Sequence, residues 1–166
     1  MKNKDLYSDL EFRKIVNHIL EDETFKKTKD ISHHGINRYD HSLRVSYYSY
    51  KICKFLKLDY IDSARGGLLH DFFLDNREDN KLTILYNHPK YALETAKKHF
   101  VLTEKEEDII KSHMFPVNII PPKYLESWIV DMVDNVAGIY EKCMSMNLHL
   151  KTAFNFLILV FINSLR

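Results

Sequence analysis

At 166 residues, with 45% hydrophobic content and a formal charge of +1, the chain has material for one domain with a sizeable core and too little for two. A charge this near balance carries no sign of a nucleic-acid polymer or a membrane surface as partner, so a small substrate or a protein partner is expected. Cys53 and Cys143 stand far apart with no Cys-x-x-Cys, and the opening Met-Lys-Asn-Lys-Asp-Leu is not a targeting pattern, which together predict a cytoplasmic chain with free thiols.

Only four Gly and four Pro occur, with no Asn-Gly or Asp-Gly hairpin dipeptide, so the fold class expected is all-α, a single helical domain over 1–166 with its motif-bearing core at about 31–141. The first helix is predicted over Leu10 to Leu20, followed by a polar segment from Glu21 to Asp40 that contains Ser32-His33-His34-Gly35. A second runs from Asp40, as N-cap, to Leu56, with Val45, Tyr48, Ile52, Phe55 and Leu56 inward and His41 one turn ahead on the same stripe.

The third helix spans Tyr60 to Phe72, with Ile61, Ala64, Leu68 and Phe72 facing the core. Gly66-Gly67 inside it costs about 1 kcal/mol per glycine against alanine, a cost tolerated where another backbone comes close. The side bearing Ser63, the glycines and His70 is therefore expected to face the helix of His41, a plain kink being the alternative.

A charged connection, Asp75 to Lys81, reads as a flap or loop over a site. Asn87-His88-Pro89 then opens a helix with Pro89 at its first position, and Thr103 with Glu106 forms a capping box for a helix reaching His113 and stopped by Pro116. Pro121-Pro122 starts the next, whose inward stripe is Ile129, Val133, Val136, Ala137 and Tyr140. A last helix, about 148–164, carries the apolar run Phe154 to Ile162, too short to span a bilayer and suited to packing on the domain or to a homo-oligomer contact.

His41, His70, Asp71 and Asp134 fall on three of these helices at or near their inward sides, the arrangement that a metal between packed helices requires. Two imidazoles with two carboxylates suit a divalent transition metal, Mn, Fe, Ni or Zn, with Mg also compatible. His88 and His113, at helix ends, complete a second metal site if Asp71 bridges. A lone histidine on a helix is more often packing or surface, and His18, His99 and His149 are read so; the His70-Asp71 pair differs, since a charge in an apolar segment is costly unless paired or metal-bound.

His41 within His-Ser-Leu-Arg-Val, His70-Asp71 within Ala64-Arg65-Gly66-Gly67-Leu68-Leu69-His70-Asp71-Phe72, and Asp134 within Val133-Asp134-Asn135 together resemble the HD-domain metal-dependent phosphohydrolase superfamily over roughly Arg38 to Glu141. The resemblance implies an all-α fold, a first metal held by His41, His70, Asp71 and Asp134, and a binuclear site completed by His88 and His113. Leu74 stands where the cyclic-dinucleotide branch carries a lysine. Asp131, one turn before Asp134, competes for the last ligand position, and Asp134 is preferred on the resemblance.

Arg44, one turn from His41, is the first candidate for a phosphate clamp, with Arg38 and Arg65 as others, and His33 or His34 is a candidate acid or base near the leaving group. The function expected is hydrolysis of a phosphate ester or diester of a small molecule or nucleotide by metal-bound hydroxide. A diiron oxygenase on the same fold, or a non-catalytic metal- or nucleotide-binding regulator, are the alternatives.

Overall fold

The computed structural model of the chain describes residues 8–33, 36–74 and 80–145. Its helices are α1 (Leu10–Leu20), α2 (Glu23–Lys26), α3 (Arg38–Phe55), α4 (Tyr60–Leu69), α5 (Lys81–His99), α6 (Glu104–Ser112) and α7 (Leu125–Ser145). Among the described residues the only strands are the two-residue antiparallel pair Ser32–His33 and Ile36–Asn37 ahead of α3, so the all-α expectation holds. The expected terminal helix at 148–164 and most of the expected flap, 75–79, lie outside the described residues.

Helix α1 forms where Asp9 accepts from the Phe12 amide at 3.1 Å and Phe12, Val16, Ile19 and Leu20 recur on one face. Helix α3 starts earlier than expected: Asn37, not Asp40, is its cap, its Oδ1 accepting from the Asp40 backbone amide at 2.8 Å while its side-chain Nδ2 donates to the Asp40 carboxylate at 2.8 Å. Its buried stripe runs through Ser42, Val45, Ser46, Ser49 and Cys53. That stripe of mostly small residues places Phe55 on the far side of the helix and Leu56 beyond its end, so these two, expected inward, are 85% and 51% exposed.

The serines let α4 come close. Ser46 Oγ donates to the Ala64 carbonyl at 2.6 Å, and a Cβ placed on Gly67 would meet Ser46 Cα at 3.2 Å. A Cβ on Gly66 would meet Ile109 of α6 at 2.8 Å, so the two glycines seat α4 between α3 and α6 and do not merely kink it. Helix α4 ends at Leu69, three residues short of the expected Phe72, and Ile61, expected inward, points to solvent.

Helix α5 begins at Lys81, capped by Asn80, so Pro89 stands inside it and not at its first position. The capping box of α6 is present as expected, Thr103 and Glu106 each accepting from the other's amide. Helix α7 starts at Leu125, later than Pro121-Pro122 suggested, because Asp108 Oδ2 ties down the Lys123 amide at 2.9 Å and the Ser127 hydroxyl at 2.7 Å. Its buried stripe is Val130, Val133, Ala137 and Glu141, at steps of three and four, which leaves the expected Val136 and Tyr140 beside it and exposed.

Two apolar clusters flank α3 and α4. Phe12, Phe25, Leu68 and Phe72 belong to one; Val45, Ile109, Val130 and Val133 to the other. Burying each such side chain contributes roughly 1.5–3 kcal/mol. The polar residues buried between them are those of the site.

Candidate metal centre

Three of the histidines sit where a helix has a carbonyl to spare. His70 caps α4 and His113 caps α6, where the last carbonyls lack intrahelical donors, and each lies 2.8 Å by Nδ1 from the carbonyl three residues back, Gly67 and Ile110. His88 lies inside α5, but Pro89 has no N–H to give the Leu85 carbonyl, and His88 Nδ1 takes that carbonyl at 2.8 Å. Each ring is thereby oriented with Nδ1 on its carbonyl and Nε2 directed inward.

The Nε2 atoms converge on two carboxylates. Asp134 Oδ1 lies 2.8 Å from His41 and 3.5 Å from His70. Asp71 turns Oδ2 toward His70 at 4.0 Å and Oδ1 toward His88 and His113 at 3.4 and 3.7 Å. The ligand atoms of His41, His70 and Asp71 lie within 4.8 Å of one another, as do those of His70, His113 and Asp134 and those of Asp71, His88 and His113, so Asp71 is shared by the first and last of these groups. All six expected ligands are brought together.

The donor chemistry fits a metal. His88 and His113 face each other Nε2 to Nε2 at 2.9 Å, and with both Nδ1 atoms donating to carbonyls the facing lone pairs need a proton held between the two rings or a metal ion beside them. His70 Nε2 is buried with no hydrogen-bond partner among the described residues. Buried atoms of this kind are costly unless a bound group satisfies them, and N and O donors at this spacing suit a divalent transition ion.

Charge within the cluster is coupled. Burial pushes His41 down, but its hydrogen bonds to Asp134 and Glu141 outweigh that and raise it to about 10. Burial pushes Asp134 up, and the His70 and His41 charges outweigh that and hold it well below the usual carboxylate range. Burial and the neighbouring His88 and His70 lower His113 to about 3, leaving it neutral.

A proton on His41 Nε2 therefore stands where an ion would bind, and binding must expel it. Because that proton is held up to about pH 10, raising pH between 7 and 9 is expected to strengthen metal affinity by at least about tenfold per unit, one proton being released per ion bound at His41. Calorimetry in buffers of different ionisation enthalpy checks this. In the metal-free protein the sign is opposite: the raised His41 pKa contributes stability that is full below about 6.5 and lost as pH rises through about 10.

Pro89 gives a second expectation. Pro89→Ala restores an amide that competes for the Leu85 carbonyl, so the metal-free thermal midpoint should stay level or rise, since interior proline costs a helix about 3 kcal/mol. Affinity for the ion held by His88 and His113 should nevertheless fall, by about tenfold. Thermal melts beside a metal titration read both.

The arginines fall in different places from those expected. Arg38 is buried, its guanidinium 3.8 Å from the Phe73 ring centre, with Nη1 donating to the Phe73 carbonyl at 2.6 Å and Nε 4.0 Å from Asp71 Oδ2. It lines a pocket of about 430 Å³ above the centre with Asp71, Phe73, His88 and Asp134. Arg44, the first candidate for a phosphate clamp, instead donates to Glu141 and lines a separate cavity between α3 and α7. Arg65 is committed to Glu106, His18 and the Val101 carbonyl.

The His33 side chain and all of His34 lie outside the described residues. Asp131 does not join the cluster; burial and the Asp134 charge raise it to about 7, and it lines an apolar groove with Trp128 and Met132. Glu141 escaped the sequence reading. It lies seven positions after Asp134, two turns along α7, and that spacing was its only signal.

No helix among the described residues is long and apolar enough to cross a membrane. No curated protein and no solved structure matches the chain. The HD domain family does, over residues 38–139, a span that holds all six clustered ligands and most of the chain. The chain belongs to the HD domain family, a superfamily of metal-dependent hydrolases.

Proposed function

We propose that the protein is a metal-dependent phosphohydrolase, acting on a phosphate ester or diester of a small molecule or nucleotide through a binuclear centre of Mn, Fe, Ni or Zn. The observation that carries this reading is the position of Asp71, whose Oδ2 faces His70 and whose Oδ1 faces His88 and His113. Ions bound there would supply Lewis acidity for a phosphoryl oxygen and an activated water at neutral pH.

The chain's own residues supply the rest. His41, His70 and Asp134 form one side of the cradle, and His88 with His113 the other, each ring locked in orientation before substrate arrives. Arg38, fixed by its stack on Phe73, presents its cation beside Asp71 at the pocket floor, where a phosphate oxygen would be held. Ile84, Leu85, Met114 and Ile139 form the apolar wall for the remainder of the substrate, and about 430 Å³ suits a small molecule or mononucleotide. Cys53 and Cys143 are free thiols, which supports the cytoplasmic expectation.

The test is the full chain, stripped by chelation, reloaded with Mn, Fe, Ni, Zn or Mg, and assayed against phosphate monoesters, diesters and nucleotides. Hydrolysis of at least one class, present only with metal, is the result expected. Iron-dependent oxygen consumption without hydrolysis would favour an oxygenase; nucleotide binding without turnover under every metal would favour a regulator.

A further inference from the structure

We propose that Glu141, held by Arg44, is a positioning residue of the metal centre, fixing the His41 ring through Nδ1 so that Nε2 faces the ion. The inference rests on the metal-dependent reading above and adds to it a residue and a role.

His41 has a problem that the other histidines do not. It lies in the first turn of α3, three positions after Arg38, where the carbonyls of Asn37 and Arg38 are the acceptors of the helix's own first amides. No backbone carbonyl is left over to hold its Nδ1, as Gly67, Leu85 and Ile110 hold those of His70, His88 and His113. A group from another helix must do it.

Glu141 is that group. It is 2% exposed, and its Oε2 lies 2.8 Å from His41 Nδ1, while Oε1 accepts from Arg44 one turn along α3. Asp134 and Glu141, two turns apart on α7, thus grip the two nitrogens of one imidazole. A carboxylate so deeply buried is costly unless paired, and the Arg44 guanidinium supplies the pairing while fixing the carboxylate's orientation. A carboxylate behind a ligating histidine also makes the imidazole a stronger donor, and its loss typically weakens metal binding by about 10- to 100-fold. Arg44 then serves the centre from behind.

The test is titration of Mn(II) alone into metal-free full chain, wild type and Glu141→Gln, with thermal melts of both. Glu141→Gln is expected to weaken Mn(II) binding by about 10- to 100-fold. Glu106→Gln, which breaks the equally buried pair with Arg65 away from the centre, is expected to lower the thermal midpoint and leave Mn(II) affinity unchanged.

Wild type that binds Mn(II) beside a Glu141→Gln variant within twofold of it would overturn the role of Glu141 and leave the metal reading standing. Wild type that binds no Mn(II), Zn(II) or Fe(II) would overturn both. Should Glu141→Gln not fold, nitrogen NMR of the zinc-loaded wild type decides. A far-downfield Nδ1 proton from His41, hydrogen-bonded to carboxylate and unlike those of His70, His88 and His113, supports the role, and its absence overturns it.

Discussion

Asp71→Ala is expected to lose metal and phosphoester hydrolysis together. The carboxylate is 3% exposed and faces His70 through one oxygen and His88 and His113 through the other, so its removal takes a ligand from both sets at once. The affinity loss should exceed the roughly 100-fold that changes behind a ligand produce. Hydrolysis should fall to background under every metal. Asp71→Asn, which keeps the volume and removes the charge, should lose nearly as much, because a neutral amide offers one weak donor oxygen where two charged ones stood. Elemental analysis beside the hydrolysis assay checks both variants, and retained turnover in either would show that the chemistry runs elsewhere.

Gly67→Val is expected to combine lost stability with lost metal. Any Cβ at this position meets the Ser46 backbone at 3.2 Å, and backbone inside a helix cannot step aside as a side-chain end can. Overpacking of this kind costs about 1–3 kcal/mol, more than valine's better helix propensity over glycine returns. The displacement also has a direction. It pushes α4 away from α3, and with it His70 and Asp71 at the end of α4 away from His41. Metal affinity should therefore fall further than the same destabilisation would cause elsewhere, a difference read by comparing Gly67→Val with a core change remote from the site, such as Val16→Ala in α1.

Much of this was legible from the chain because it was punctuated. The Thr103-Glu106 capping box marks the start of α6, and the paired glycines, costly in an isolated helix, point to a close crossing. The six ligands were readable as a set because the His70-Asp71 charge is costly in an apolar segment and the family resemblance ties it to His41, His88, His113 and Asp134, whose spread over separate helices required convergence.

What the sequence hid has physical reasons. Asn37 and Asp40 are both good caps three apart, and only their mutual hydrogen bonds decide which one serves. Pro89 looks like a helix opener until the His88 ring is seen taking the carbonyl that the proline leaves over. Arg44 and Glu141 lie nearly a hundred positions apart, and the role of the pair exists only where α3 and α7 cross. Phe55, Leu56 and Val136 recur at helical spacing with the inward apolar residues, yet serines and small residues set the stripes that pack and leave these three exposed.

The most direct measurement is the metal content of the full chain after loading with Mn or Zn and removal of excess ion. Two ions per chain, falling to one in His88→Ala and to none in Asp71→Ala, is the result predicted. Wild type that retains no stoichiometric metal under any loading condition would contradict the account at its centre.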